Sequence, residues 1–328
     1  MVKTKMTEAI EKQINLAIEQ MLNSKNIYIV SHVQPDGDNL GSILSLGQAL
    51  KSKNLDVFML KSDEIPNDFM FLPGIEYMMD YDGLGYVDVL IVLDSGDENR
   101  IGKNKEILGK ANLVINIDHH ISNTYFGDIN IVDKDASSTG ELVFEIIKSM
   151  DIEISKEIGT CLYTAISSDT GSFMYDNTSA RTHEIAAELL KSNIDKSYIN
   201  INLYQNRSLE RTKLFITALN SLELYYNDKV AIVAITQELL EKSNATMEDT
   251  EGIVSFLREI SPVEVAIILK EFHGENIKVS MRSKKYVDVA KISSYFSGGG
   301  HVRAAGFTVN STVGKIKASL LEQLKDYI

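Results

Sequence analysis

The chain opens with apolar residues at helical spacing among Lys, Glu and Gln, which predicts an amphipathic helix over residues 5–22. The next apolar run is shorter and continuous. Asn26-Ile-Tyr-Ile-Val-Ser31 predicts a buried strand that ends at His32. A turn, Gln34-Pro35-Asp36-Gly37, follows it, and helical spacing then runs through Leu50. The alternation returns: Val87–Leu93 predicts a strand ending at Asp94, and Leu113–Ile117 one ending at Asp118-His119-His120, with a short strand after them at Asp128–Val132. Helical patterns dominate from about Ser138 to Leu224, including a run over Ser208–Leu222 long enough to join two domains. A second α/β alternation begins beyond it. Strands are expected at Val230–Thr236, Val263–Phe272 and Ile277–Arg282, and helices at Val287–Phe296 and Ser311–Tyr327.

Strands alternating with helices imply parallel βαβ units, whose ligands bind beyond the carboxyl ends of the strands. The polar residues of the first half cluster at those ends. With 328 residues and 44% apolar content, two cores are expected. The pattern divides the chain into a catalytic domain over 1–195, a helical linker over 196–227 and a smaller α/β domain over 228–328.

Composition narrows the partners. No run reaches the roughly 18 apolar residues of a membrane span, and the first 23 residues lack a signal-peptide pattern, so the expected location is the cytoplasm with no membrane partner. The single cysteine, Cys161, excludes an intrachain disulfide and Cys-rich zinc motifs, and its apolar helical surroundings make it a buried structural thiol. A net charge of −13 argues against a surface that wraps long-duplex nucleic acid. It is compatible with a small anionic substrate if part of the acid holds metal ions.

Four carboxylate-bearing clusters carry the candidate chemistry. They are His32-x3-Asp36-x-Asp38, Asp94-Ser-Gly-Asp97, Asp118-His119-His120 and Ile166-Ser-Ser-Asp169-Thr-Gly171. Taken singly, each has an ordinary reading as an acidic turn, a helix cap or a chance pair of histidines. Taken together they are far more specific, because four of the six histidines fall in these clusters or in Gly298-Gly299-Gly300-His301. Carboxylate and imidazole donors without thiolate favour Mn²⁺, Mg²⁺ or a related ion such as Co²⁺ over structural zinc. Between Lys278 and Arg303 the charge reverses, with six basic residues against the one acid Asp288, beside glycines that let backbone N–H groups approach an anion.

The series His32, Asp36, Asp38, Asp94, Asp118-His119-His120 and Asp169 resembles the motif series of the DHH phosphoesterase family. The tail Gly298-Gly-Gly-His301-Val-Arg-Ala-Ala-Gly306 resembles the DHHA1 signature, and the compact length is similar to that of the nanoRNase and pAp-phosphatase branch. The resemblance implies a DHH domain with a mainly parallel sheet flanked by helices, a smaller α/β DHHA1 domain and an active site in the cleft between them. It places His32, Asp36 and Asp94 on one divalent metal ion and Asp38, Asp94, His119 and Asp169 on a second, with Mn²⁺ the expected species. Two such ions about 3.5–4 Å apart lower the pKa of water and polarise a phosphoryl oxygen.

The resemblance also makes His120 a group that contacts phosphate or assists the leaving oxygen. Asp118 then orients His119 or its neighbours, and Arg282 and His301 contact phosphate or sugar above Gly298, Gly299 and Gly300. The implied substrates are oligonucleotides of about two to five nucleotides, dinucleotides such as pApA, or 3′-phosphoadenosine 5′-phosphate (pAp). Two alternatives stay open: a phosphodiesterase dedicated to linear dinucleotides, and a catalytically silent nucleotide sensor. A family II inorganic pyrophosphatase shares similar metal motifs, but Gly298–His301 speaks against it. Core packing is expected for Phe173, Tyr175 and Arg181, and surface or hydrogen-bonded roles for His183 and His273. A homodimer is expected on general frequency among soluble enzymes.

Overall fold

The computed structural model describes residues 6–83, 85–272 and 276–328. The chain separates into two compact units, Met1–Asn206 and Arg207–Ile328.

In the first unit, α1 (Glu8–Asn23), capped by Thr7, precedes β1 (Asn26–Val30). The order continues with α2 (Gly37–Ser52), β2 (Asp56–Met59), β3 (Val87–Leu93), β4 (Ala111–Asp118) and β5 (Ile129–Val132). Four helices complete it: α3 (Thr139–Ser149), α4 (Lys156–Asp169), α5 (Ala180–Lys191) and α6 (Lys196–Tyr204). The five strands form one parallel sheet in the order β2-β1-β3-β4-β5. Strands buried on both faces explain the continuous apolar runs of β1, β3 and β4. The strand order reverses between β1 and β3, so the crevice at their carboxyl ends is where this topology places a ligand.

Glycines let α2 lie close against α4. A Cβ at Gly41 would sit 2.4 Å from the Cys161 carbonyl oxygen, and one at Gly37 would sit 2.5 Å from the Ser168 side chain. That approach brings the first turn of α2, with Asp38, to the end of α4, where Asp169 stands.

The second unit holds α7 (Leu209–Asn220), β6 (Glu223–Tyr225), β7 (Val230–Ile235), α8 (Gln237–Ser243) and α9 (Ile253–Glu259). It ends with β8 (Val265–Phe272), β9 (Asn276–Ser283), α10 (Val289–Ser294), β10 (Gly299–His301), β11 (Ala304–Asn310) and α11 (Val313–Leu324). Its sheet is mixed, in the order β10-β11-β9-β8-β7-β6. One face is covered by α10 and α11 through Val289, Ile292, Ile316, Leu320 and Leu324. On the other, Leu214 and Ala218 of α7, Leu240 of α8 and Ile253 and Leu257 of α9 cover β7 and β8.

The segment 196–227, expected as a linker, is divided between the units. Ile199 of α6 joins the first core, and Leu214 and Ala218 of α7 join the second unit's. Four strands escaped the sequence pattern: β2, β6, β10 and β11. The first two are short, and the last two are rich in glycine and alanine, which carry little strand signal. The expected Gly-rich loop is therefore a hairpin. Gly299–His301 pairs antiparallel with Ala304–Gly306 across a tight turn at Val302-Arg303. Among the described residues, no helix is long and apolar enough to cross a membrane.

Candidate metal centre

Six of the expected ligands converge at the carboxyl ends of the first sheet. His32 follows β1, and its Nδ1 lies 2.7 Å from the Val33 carbonyl oxygen. A carbonyl only accepts, so Nδ1 donates to it, and Nε2 lies 3.2 Å from Asp94 Oδ2, whose carboxylate raises the imidazole against the effect of burial. His119, after β4, repeats the arrangement. Its Nδ1 faces the Ala136 carbonyl at 3.3 Å, and Nε2 stands 3.5 Å from Asp169 Oδ2, 3.7 Å from Asp94 Oδ1 and 3.8 Å from Asp38 Oδ2.

Asp94 terminates β3 with its backbone in the left-handed region, φ +54, a conformation non-glycine residues adopt at some cost. The backbone is held there by the bond from its N–H to the Ile117 carbonyl, 2.9 Å. The result is a carboxylate whose Oδ2 faces His32 and whose Oδ1 faces His119 and His120. Asp36 caps α2 with Oδ1, which accepts from the Asn39 N–H at 3.0 Å, and turns Oδ2 toward His32 at 4.0 Å.

Asp38 is fully buried and draws its hydrogen bonds from α3 and α2. It accepts from the Thr139 and Gly140 N–H groups at 2.7 and 2.9 Å and from the Ser42 hydroxyl at 3.2 Å. Burial, reinforced by Asp94, Asp169 and Asp36, nonetheless lifts its carboxyl well above the usual range. Burial likewise pushes Asp169 up to about 6, against the attraction of His119 and with the repulsion of Asp94. Asp169 also ends α4, where the helix dipole disfavours an anion.

These observations fit a cation. The Nε2 atoms of two imidazoles stand among carboxylates that repel one another, and no Lys or Arg forms an ion pair with Asp36, Asp38, Asp94 or Asp169 among the described residues. Donor atoms within 4.8 Å of one another form three groups: His32, Asp36 and Asp94; Asp38, His119 and Asp169; Asp94, His119 and His120. Oxygen and nitrogen donors without sulfur suit Mn²⁺ or Mg²⁺.

Asp118 serves the neighbour of His119. Its Oδ1 lies 2.7 Å from Nδ1 of His120, so it orients His120, whereas His119 uses a backbone carbonyl. Burial works against the charge of Asp118, yet the hydrogen bond from His120 and that from Asn123 hold its carboxyl below the ordinary value. The same bond raises the His120 imidazole against the effect of burial.

Several residues of the site were not evident in the sequence. Thr139 donates its hydroxyl to Asp94 Oδ1 at 3.0 Å, and Asn123 bridges Asp118 and Asn116. Thr139 lies at the start of the helical pattern expected from about Ser138, where nothing in its local sequence sets it apart. Asn116, a polar residue inside an apolar strand, was the available signal for the Asn123 bridge.

Arg181 is buried among acids, 3.1 Å from Asp133, 3.5 Å from Glu145 and 3.7 Å from Glu141. Phe173 packs on the first core and stacks on the exposed His183, with ring centroids 5.4 Å apart. Tyr175 departs from the expected core packing: it is exposed, its ring lying over Gly171. His273 lies outside the described residues.

In the second unit, Arg282, Gly299, Gly300 and His301 line a concavity of about 480 Å³ together with Lys278, Ser280 and Thr308. Arg282 is half-buried and donates to the Met281 carbonyl. Gly298 faces packing instead of open space, since a Cβ there would meet Phe307, Ser293 and the Gly306 carbonyl oxygen at 2.4–2.5 Å. Gly299 has open space on that side.

The DHH family, N-terminal domain, matches residues 26–166, and the DHHA1 domain matches residues 227–328. The bifunctional oligoribonuclease and PAP phosphatase NrnA of Thermus thermophilus is 33% identical over 285 residues, covering 86% of this chain and 84% of that protein. The chain belongs to the DHH/DHHA1 phosphoesterase family. It is therefore a hydrolase. A crystal structure of an exopolyphosphatase-related protein from Bacteroides fragilis shares the whole fold, with a TM-score of 0.92 at 30% identity over 98% of both chains. RecJ of Thermus thermophilus, solved in complex with Mn²⁺, is similar in fold at a TM-score of 0.55 and 12% identity, over 100% of this chain and 55% of that one.

Proposed function

We propose that this phosphoesterase uses two divalent metal ions, Mn²⁺ first among them, to hydrolyse oligonucleotides of about two to five nucleotides to mononucleotides, and pAp to AMP. The observation that carries the reading is the two-sided Asp94. One oxygen faces the His32 and Asp36 donors, and the other faces His119, beside Asp38 and Asp169. The relative named as an oligoribonuclease and PAP phosphatase supports the substrate class. The manganese-bound RecJ neighbour supports the metal.

In this reading His32, Asp36 and Asp94 hold one ion, and Asp38, Asp94, His119 and Asp169 hold the other. The ions supply charge neutralisation and an acidified water at neutral pH. Thr139 fixes the rotamer of Asp94, and the Thr139 and Gly140 N–H groups fix that of Asp38. His120, anchored through Nδ1 by Asp118, keeps Nε2 for the substrate and donates a proton to the leaving oxygen. Arg282 offers a planar fork to a phosphate, and His301 and the Gly299 backbone lie on the same concavity.

The test is a Mn²⁺-dependent time course on an end-labelled RNA ladder from dinucleotide to about 24 nucleotides, with phosphate release from pAp in parallel and Asp94→Ala as control. Mononucleotide products favouring the shortest substrates, absent in the variant, are expected. Equal or better degradation of the longest strand would overturn the reading. Activity confined to linear dinucleotides would select the dedicated phosphodiesterase, and inactivity throughout the sensor.

A further inference from the structure

The second unit's sheet has one face only half covered. Along β9, Ile277, Val279 and Met281 enter the core, so Lys278, Ser280 and Arg282 share the opposite face. On β8, Ala266 and Ile268 of that face lie in the core beneath α7–α9, and Lys270 is the next position along it. The register sets Lys270 directly opposite Lys278.

Directly opposed like charges destabilise an antiparallel pair. Here Lys278 and Arg282 line one open concavity, with Lys270 opposite Lys278 on the neighbouring strand, in a chain of net charge −13. The arrangement is also costly in solvation. Burial first, then Lys278, lowers the ammonium of half-buried Lys270 against the attraction of Glu251, and burial and Arg258 lower Arg282.

We propose that Lys270 and Lys278 form a second phosphate subsite beside Arg282, occupied by a further phosphate of the oligonucleotide chain. The subsite rests on the short-oligonucleotide reading. It adds that affinity grows with each phosphate that reaches the Lys270–Lys278 pair and then stops growing. Same-face residues along a strand are about 7 Å apart, so Lys278 lies roughly 14 Å from Arg282 along β9, a span for a few linked phosphates and not for a long strand. The occupant is a single-stranded phosphodiester chain.

The experiment compares Lys270→Gln and Lys278→Gln with the unaltered protein. Hydrolysis of dinucleotide, trinucleotide and pentanucleotide is measured with Mn²⁺, and binding of the same labelled oligonucleotides is measured as a function of salt in an Asp94→Asn background. The expected result is a roughly tenfold loss in the preference for pentanucleotide over dinucleotide, seen in KM and not kcat. The salt slope for the pentanucleotide falls by about one per lysine removed. The thermal midpoint of each variant rises or holds, because a like-charge pair has been removed.

An equal loss at every length, or no change in the length preference, would overturn the subsite while leaving the short-oligonucleotide activity standing. Absence of hydrolysis by the unaltered protein, with the length-dependent binding loss intact, would overturn the activity and leave the subsite. Displacement of all oligonucleotides alike by inorganic tripolyphosphate, with no length dependence, would overturn the nucleotide chain as occupant.

Discussion

Without a bound cation the candidate metal centre is a liability, and Asp169 makes that measurable. Its carboxyl is raised from 3.8 to about 6 in the metal-free fold, first by burial and then by Asp94. A folded-state pKa above the unfolded one means that the stabilising form is the protonated one. That contribution is complete below pH 3.8 and is lost as the pH rises through about 6. The full shift corresponds to about 3 kcal/mol. The side chain is 32% exposed, so solvent screening leaves about 2 kcal/mol.

Asp169→Asn removes the charge and keeps the shape. In EDTA at pH 7.5 it should raise the thermal midpoint by about 4–8 °C for a unit of this size, while abolishing the additional stabilisation that Mn²⁺ gives the unaltered protein. At pH 5 the difference in EDTA should shrink, and Mn²⁺ should stabilise the unaltered protein less than at pH 7.5. Thermal unfolding followed by circular dichroism at both pH values, with EDTA or Mn²⁺, reads all four conditions. An Asp169→Asn variant that melts lower than the unaltered protein in EDTA at pH 7.5, or that retains the full Mn²⁺ response, would refute the idea that carboxylate repulsion defines this site.

The remaining expectations concern residues that hold the ligands. Thr139→Val removes the hydroxyl bonded to Asp94 and should weaken Mn²⁺ binding roughly 10–100-fold by titration calorimetry, with the fold retained. Gly41→Ala forces α2 away from α4 and should cost about 1–3 kcal/mol in urea denaturation, with weaker Mn²⁺ binding because Asp38 and Asp169 separate. Arg181→Ala leaves Asp133 and Glu141 buried without their cation and should cost about 3–5 kcal/mol by the same measurement. His120→Asn should lower kcat roughly 10²–10⁴-fold with Mn²⁺ affinity kept, and an equal loss of affinity would instead make His120 a metal ligand.

Much of the molecule was legible in the chain because its signals are local. Continuous apolar runs ending in Asp or His mark parallel strands whose ends carry chemistry, and β1, β3 and β4 lie where those runs predicted. The candidate site residues were legible for the same reason: His32, Asp94, Asp118 and His119 sit at strand ends, a position visible without knowing the strand order. Boundaries set by packing were not legible. The helical stretch over 196–227 carries no mark showing that Ile199 belongs to one core and Leu214 to another.

What the sequence alone determined, then, is the inventory of donors and their placement at element ends, since apolar periodicity and residue chemistry are properties of short segments. Tertiary structure decided which donors meet. The β2-β1-β3-β4-β5 order brings His32 to Asp94 across 62 residues, and the glycine-lined contact of α2 with α4 brings Asp38 to Asp169. It also decided that Asp118 serves His120, that Thr139 steadies Asp94, and that Lys270 faces Lys278. Each of these is a matter of strand register or helix approach, which are fixed by the packing of distant segments and leave no trace in any one of them.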